Sequence, residues 1–159
     1  KEIPTTLPYP TVVDYPVRIG RTKIQITAVS MGNPHCVVFV DALTDRLVHE
    51  LGADLEYHPI FPRRTNVEFV EILSRGCVRQ RTWERGTGET LAFGSGACAV
   101  VVAGVLTGRT ARTLDIELLG GELHVEWRES NNHVYLSGPA VEVFSGEWPD
   151  ENAPLGKIA

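Results

Sequence analysis

A chain of 159 residues, 43% hydrophobic and 22% charged, has the size and make-up of one soluble globular domain with a sizeable core. Its net charge of -5 with scattered basic residues discounts nucleic acid as a partner, and no apolar run approaches the roughly 20 residues that cross a bilayer. Cys36, Cys77 and Cys98 are odd in number and lack C-x-x-C spacing, so they give no sign of a zinc or redox site and fit a reducing, cytoplasmic setting.

The opening "KEIPTTLPYPTVVDYP" carries four prolines and no apolar signal region, so residues 1–15 are expected to be an extended linker arm. Residues 17–20 and 23–29 read as two strands around a short turn at Arg21 and Thr22. "MGNPH" follows as a turn, and residues 36–40 as a buried strand. The period then changes: Leu43, Leu47, Val48, Leu51 and Leu55 share one helical face. With Gly52 near its end and Pro59 beyond, this predicts a helix from about Thr44 to Leu51.

Residues 66–73 alternate through Val67, Phe69, Val70 and Ile72, and Gly76 turns them into a second strand over 77–83. Arg79, Arg81 and Arg85 recur at odd positions there and read as a solvated face. Residues 95–106 are apolar nearly all round and predict a helix buried on every side. Residues 113–118, 122–128 and 133–136 form a meander with turns at Gly120-Gly121 and Asn131-Asn132. A last strand is expected over 141–146 and a flexible tail over 147–159. The fold class is α+β: a curved, mainly antiparallel (mixed) sheet wrapped around a central buried helix, over residues 16–146.

Chemistry concentrates in "WERGTGETLAFGSGACAV", residues 83–100. Glycines ahead of a helix N-terminus leave backbone N–H groups open beside the positive end of the helix dipole, which makes a seat for a carboxylate or phosphate. Neither G-x-x-x-x-G-K-[ST] nor G-x-G-x-x-G is present, so the loop is not of the nucleotide type; a capping loop with no ligand is the plainer alternative. Glu84 and Arg85 stand where a carboxylate and a guanidinium reach a ligand, or form a surface ion pair. Asn33 and His35 in "GNPH", and Asn66 at a strand start, are further polar candidates, with His35 as a base or as a group that tunes one. Phe93 lies in the middle of the loop, where phenylalanine has no acid, base or nucleophilic chemistry.

"ERGTGETLAFGSGACA", residues 84–99, resembles the signature of diaminopimelate epimerase, Glu-Arg-Gly-x-Gly-Glu-Thr followed by x-Ala-Cys-Gly-Ser/Thr-Gly. "MGNPHCVVFV" and "TNVEFV" are similar to further segments of that family, in the expected order. The resemblance spans roughly residues 16–146 and covers the second of the family's two similar halves. It implies one half of a pseudo-symmetric fold and a cofactor-independent isomerase that interconverts LL- and meso-diaminopimelate on the route to lysine and peptidoglycan. In the family, one cysteine from each half works on opposite sides of the substrate's α-carbon.

Carried over by position, Asn33, Asn66, Glu84 and Arg85 bind substrate, Gly94 and Ser95 supply loop donors to its α-carboxylate, and His35 and Glu84 adjust the thiols. The family's catalytic cysteine falls at Phe93. Cys98, five residues on and inside the helix, does not replace it. The resemblance therefore implies a substrate-binding wall that is inert by itself. Its implied partners are diaminopimelate and the family's N-terminal half, to which strand 141–146 is expected to return, with a homodimer left open. Two alternatives stand: a related isomerase with Glu84 or Glu89 as base, and a non-catalytic binding or assembly module.

Overall fold

The computed structural model describes residue 3 and residues 5–147, which build nine strands and two helices. β1 (Tyr15–Ile19) and β2 (Thr22–Ser30) pair antiparallel. Their turn sits at Gly20 and Arg21, one residue earlier than the sequence predicts, because Gly20 takes the left-handed φ of 55°. β3 (Pro34–Val40) begins two residues earlier than expected, so His35 lies on a strand and not in a turn. α1 (Asp45–Glu56) then crosses to β4 (Asn66–Ser74), which pairs parallel to β3.

β4 turns into antiparallel β5 (Cys77–Glu84), and the three-residue β6 (Gly88–Thr90) folds back on the end of β5. α2 (Gly94–Leu106) crosses to β7 (Thr113–Leu118), which runs parallel to β5. β8 (Gly121–Arg128) and β9 (His133–Ser137) complete the meander. The sheet order is β1-β2-β3-β4-β5-β7-β8-β9. Each parallel pair needs a helical crossover. Strands β3 and β5 run in opposite directions, so crossovers of the usual right hand place their helices on opposite faces of the sheet.

The packing agrees. Val37, Val70 and Val78 pack with α2 in one cluster, whereas Cys36, Val38, Val67 and Phe69 pack with α1 residues Val48 and Leu55 in another. The sheet curls so that α2 touches β2, β3, β4, β7, β8 and β9, which buries Gly96, Ala97 and the run from Ala99 to Gly104. Among the described residues no helix is long and apolar enough to cross a membrane.

α1 runs a full turn beyond its expected end. Its start is fixed by Thr44, whose hydroxyl accepts the Leu47 N–H at 3.1 Å. Gly52 is interior to the helix, and a Cβ there would stand 2.8 Å from Trp83 Cγ. The glycine that reads as a stop in sequence is the point where the helix lies against the Trp83 ring of β5. Residues 138–147 carry no strand, and Val141, Val143 and Phe144 are 82%, 87% and 84% exposed. Among the described residues their alternation has no facing strand, and β-propensity without a partner does not make a strand. Of the arm, residues 1, 2 and 4 lie outside the described residues, as do 148–159 of the tail; Val12 is buried, and its carbonyl accepts the Ala28 N–H.

Gly52→Ala tests the helix contact. An added methyl overpacks the Trp83 ring at a cost of about 1–3 kcal/mol, which outweighs the gain of about 1 kcal/mol in helix propensity. The urea midpoint is expected to fall; an unchanged or higher midpoint would show that the helix can shift off the ring.

Candidate active site

Strand alternation sorts the side chains before any site is drawn. His35 and Val37 face α2, and Cys36 and Val38 face α1. His35 stands opposite Asn66 in the β3–β4 register, Glu68 opposite Thr82 in β4–β5, and β5 ends at Glu84. The first ends of β3 and β4, the last end of β5 and the N-terminus of α2 thus meet at one place.

A chain of polar contacts runs through it. The Asn33 Nδ2 donates to Ser95 Oγ at 3.2 Å, the Asn33 Oδ1 lies 3.0 Å from His35 Nε2, and His35 Nδ1 lies 2.8 Å from Glu68 Oε1. His35 and Glu68 are completely buried. Gln80, also buried, donates to the Thr82 hydroxyl at 2.9 Å. Glu68 Oε2 and Gln80 Oε1 have no partner among the described residues. Burial pushes the Glu68 carboxyl up, His35 opposes that push, and Glu84 adds to it.

α2 comes down on this cluster at Gly96, where a Cβ would be 2.7 Å from Glu68 Oε1 and 3.2 Å from Gln80 Nε2. Phe93 occupies the N-cap position with no side-chain cap, and the first turn holds no acidic residue. The first-turn N–H groups, Gly94 and Ser95 among them, are thus open to an anion. The Phe93 ring leans on His35, with ring centroids 5.6 Å apart.

The remaining candidates hold the frame. Asn66 donates to the Pro34 carbonyl and accepts the Arg85 N–H, both at 2.9 Å, and so ties the start of β3 to the end of β5. Glu84 accepts the Thr90 hydroxyl at 2.6 Å. Arg85 is exposed, and its guanidinium donates to the Arg63 carbonyl at 3.1 Å. Arg81 is not on a solvated face: its side chain is 11% exposed and pairs with Glu89 and Asp45. Sheet alternation sends it toward α1, into an ion-pair network that also includes His49. Burial pushes all three thiols up, which suits packing roles for Cys36, Cys77 and Cys98.

Two residues escape the motif reading. Glu68 was legible as a charge at an inward position, because residues 66, 68 and 70 share a strand face. Glu56 left no such signal. It is 2% exposed, and its two oxygens accept the Gly86 N–H and the Trp83 indole N–H, each at 2.9 Å. It thereby anchors the glycine loop to α1. Among the described residues no three His, Cys, Asp or Glu converge as a metal site. A hollow of about 690 Å³ lined by Leu7, Tyr9, Val12, Ala28 and Leu106 lies away from these groups and lacks convergent charge.

The Arg81 network predicts a pH dependence. Hydrogen bonds from Arg81, more than the His49 contact, hold Glu89 below the usual carboxylate range. A depressed carboxylate contributes stability that is present above its unfolded value and is lost as pH falls through its folded value. Glu89→Gln is expected to cost about 1.5–3 kcal/mol at pH 7, the range for bonds to charged groups, with the difference shrinking in urea titrations below pH 4. A gap that persists undiminished in acid would show that the pair contributes nothing through ionisation.

The family profile of diaminopimelate epimerase matches residues 27–143. The chain is 53% identical over 138 residues to a diaminopimelate epimerase of Moorella thermoacetica, covering 87% of this chain and 50% of that protein. To that of Leptospira biflexa it is 56% identical over 136 residues, covering 86% and 48%. The chain spans about half the length of these curated relatives. In fold it is similar to a hydroxyproline epimerase of Agrobacterium vitis with bound trans-4-hydroxy-L-proline, with TM-score 0.56, 19% identity, and coverage of 73% of this chain and 40% of that one. It is likewise similar to a probable proline racemase of Agrobacterium radiobacter, with TM-score 0.55, 16% identity, and coverage of 83% and 51%. The extent and identity of the match leave one assignment: this chain belongs to the diaminopimelate epimerase family.

Proposed function

We propose that this chain is the C-terminal half of a diaminopimelate epimerase and supplies one wall of the site that interconverts LL- and meso-diaminopimelate. The observation that carries the reading is the meeting of Asn33, His35, Asn66 and Glu84 at the uncapped N-terminus of α2, beside residue 93. Inversion at an α-carbon asks for three things: a base on one side, an acid on the other, and donors that hold the carboxylate while charge develops on the carbon. Each step is a proton transfer, so the scheme uses no cofactor.

In this scheme the N–H groups of Gly94 and Ser95 receive the α-carboxylate. Asn33 and Asn66 bind polar groups of the substrate; Asn66 already spends its Oδ1 on Arg85 and one Nδ2 bond on Pro34, which leaves one N–H to offer. Glu84 and Arg85 contact the substrate, and His35 with Glu84 adjusts proton affinity at position 93. Phe93 holds the acid/base position and can neither take nor give a proton there. The opposing acid/base belongs to the half that the relatives carry and this chain does not span. The exposed stretch with Val141, Val143 and Phe144 offers that half an apolar segment with which to pair. The setting of the whole enzyme is cytoplasmic amino-acid biosynthesis.

A carboxylate base is the weaker reading, since Glu89 is spent on Arg81 and His49. Glu84 keeps one oxygen outside its Thr90 contact.

Exchange of the substrate α-hydrogen in D₂O, followed by proton NMR, tests the assignment. The chain alone is expected to exchange neither isomer. Paired with the N-terminal half of the Moorella thermoacetica relative, Phe93→Cys is expected to epimerise at least about a hundredfold faster than the unsubstituted chain in the same pairing. Exchange by the chain alone with Phe93 in place would move the base to Glu84 or His35, and equal rates in the two pairings would remove position 93 from the chemistry.

A further inference from the structure

Glu68 and His35 form a fully buried pair, and the substrate contacts assigned above leave Glu68 unused. His35 Nδ1 faces Glu68 Oε1, and Nε2 faces Asn33 Oδ1, so both ring nitrogens look onto oxygen. An imidazole donates to acceptors on both sides only when it carries two protons. A buried cation needs a countercharge, and Glu68 at 2.8 Å supplies it. The positive end of α2 favours that carboxylate from the other side, through the contact at Gly96.

The pair is a poor way to stabilise a sheet. Glu68 Oε2 has no partner among the described residues, and a buried ion pair with an unmet oxygen returns less than well-packed apolar residues would. It is a good way to hold a charged ring still. His35 in turn fixes its neighbours: an Nε2–H aimed at Asn33 Oδ1 leaves the Asn33 Nδ2 turned toward Ser95. The ring also stands beside the side chain of residue 93.

Resting on the reading of this face as one wall of an epimerase site, we propose that Glu68 is a positioning residue. It holds His35 doubly protonated beside position 93 and, through that ring, keeps Asn33 turned toward Ser95. Among the described residues the other ionisable group that bears on Glu68 is Glu84 on β5; Cys36 lies on the opposite face of β3, and the first turn of α2 carries no acid. His35 is the one neighbour of these that favours a charged Glu68.

The test uses the full chain with ¹⁵N-labelled histidine at pH 7. Both His35 ring nitrogens are expected at shifts of protonated nitrogen. Glu68→Gln is expected to move Nδ1 to the range of a bare nitrogen, with the backbone amide spectrum otherwise kept. A bare ring nitrogen in the unsubstituted chain overturns the proposal without any need for the variant to fold, and so does a ring unchanged by Glu68→Gln. A second readout is alkylation by iodoacetamide of the thiol introduced by Phe93→Cys, mapped by peptide mass. Loss of a cation a few ångströms away is expected to slow it about tenfold at pH 7 when Glu68→Gln is added, and equal rates that both exceed the rate of Cys77 count against the proposal. If that thiol reacts no faster than Cys77 in either background while the nitrogen shifts behave as expected, the acid/base reading of position 93 falls and the role of Glu68 stands.

Discussion

The close approach of α2 to the sheet at Gly96 is the constraint on which the site depends. With no side chain between them, the first turn of the helix rests on Glu68 and Gln80, and a Cβ at 2.7 Å from the carboxylate would force the two apart. That contact sets the open N–H groups of the helix over the strand ends that carry His35, Asn66 and Glu84. A wider gap would admit water to the Glu68–His35 pair and loosen the helix terminus that offers donors to an anion. Gly52 plays the matching part on the opposite face, where α1 lies against Trp83. In both places a missing side chain sets the distance between a helix and the sheet.

Strand direction explains why two such contacts face opposite ways. The reversal between β4 and β5 puts α1 and α2 on opposite sides of one sheet. The site draws on both. From the α2 side come the helix terminus and the polar chain. From the α1 side come Glu56, which fastens Gly86 and Trp83, and Asp45 and His49, which close on Arg81 and Glu89 around β6. The glycine loop is thus clamped from behind while its front edge stays open. A loop that must receive a charged ligand without collapsing is well served by rigid anchoring on the far side.

Periodicity made much of this legible in the sequence. The alternation in residues 66–73 and 36–40, and the nearly featureless apolar run of α2, correspond to two strands and a helix that are buried over most of their length, although Ile72 and Leu106 near their far ends are exposed. Cys36 and His35 separate onto opposite faces, as adjacent strand residues must. The departures share a cause, which is that a residue's partner lies elsewhere in the chain. Gly52 reads as a helix stop until Trp83 is seen against it. Arg81 reads as solvated until Glu89 folds back on β6. Residues 141–146 have the pattern of a strand, but a strand also needs a partner, and among the described residues they pair with none. Glu56 is the extreme case, a carboxylate beside Leu55 whose acceptors are used 27 and 30 residues away.

Phe93 shows how far the frame and the chemistry can part. Its position is set by the helix, since its carbonyl accepts the Ala97 N–H at 3.0 Å whatever the side chain is. The ring beyond it covers the imidazole of His35, and apolar cover over a buried charged pair strengthens the electrostatics beneath it by keeping water away. The polar chain from Glu68 to Ser95 is therefore compatible with a phenyl ring at its edge, although nothing in that ring can move a proton. On the proposed function, the wall retains the groups that would recognise an α-amino acid and lacks the one that would invert it. Exchanging a single side chain at the end of α2 then changes what the site can do, while the helix, the sheet register and the buried pair have no reason to move.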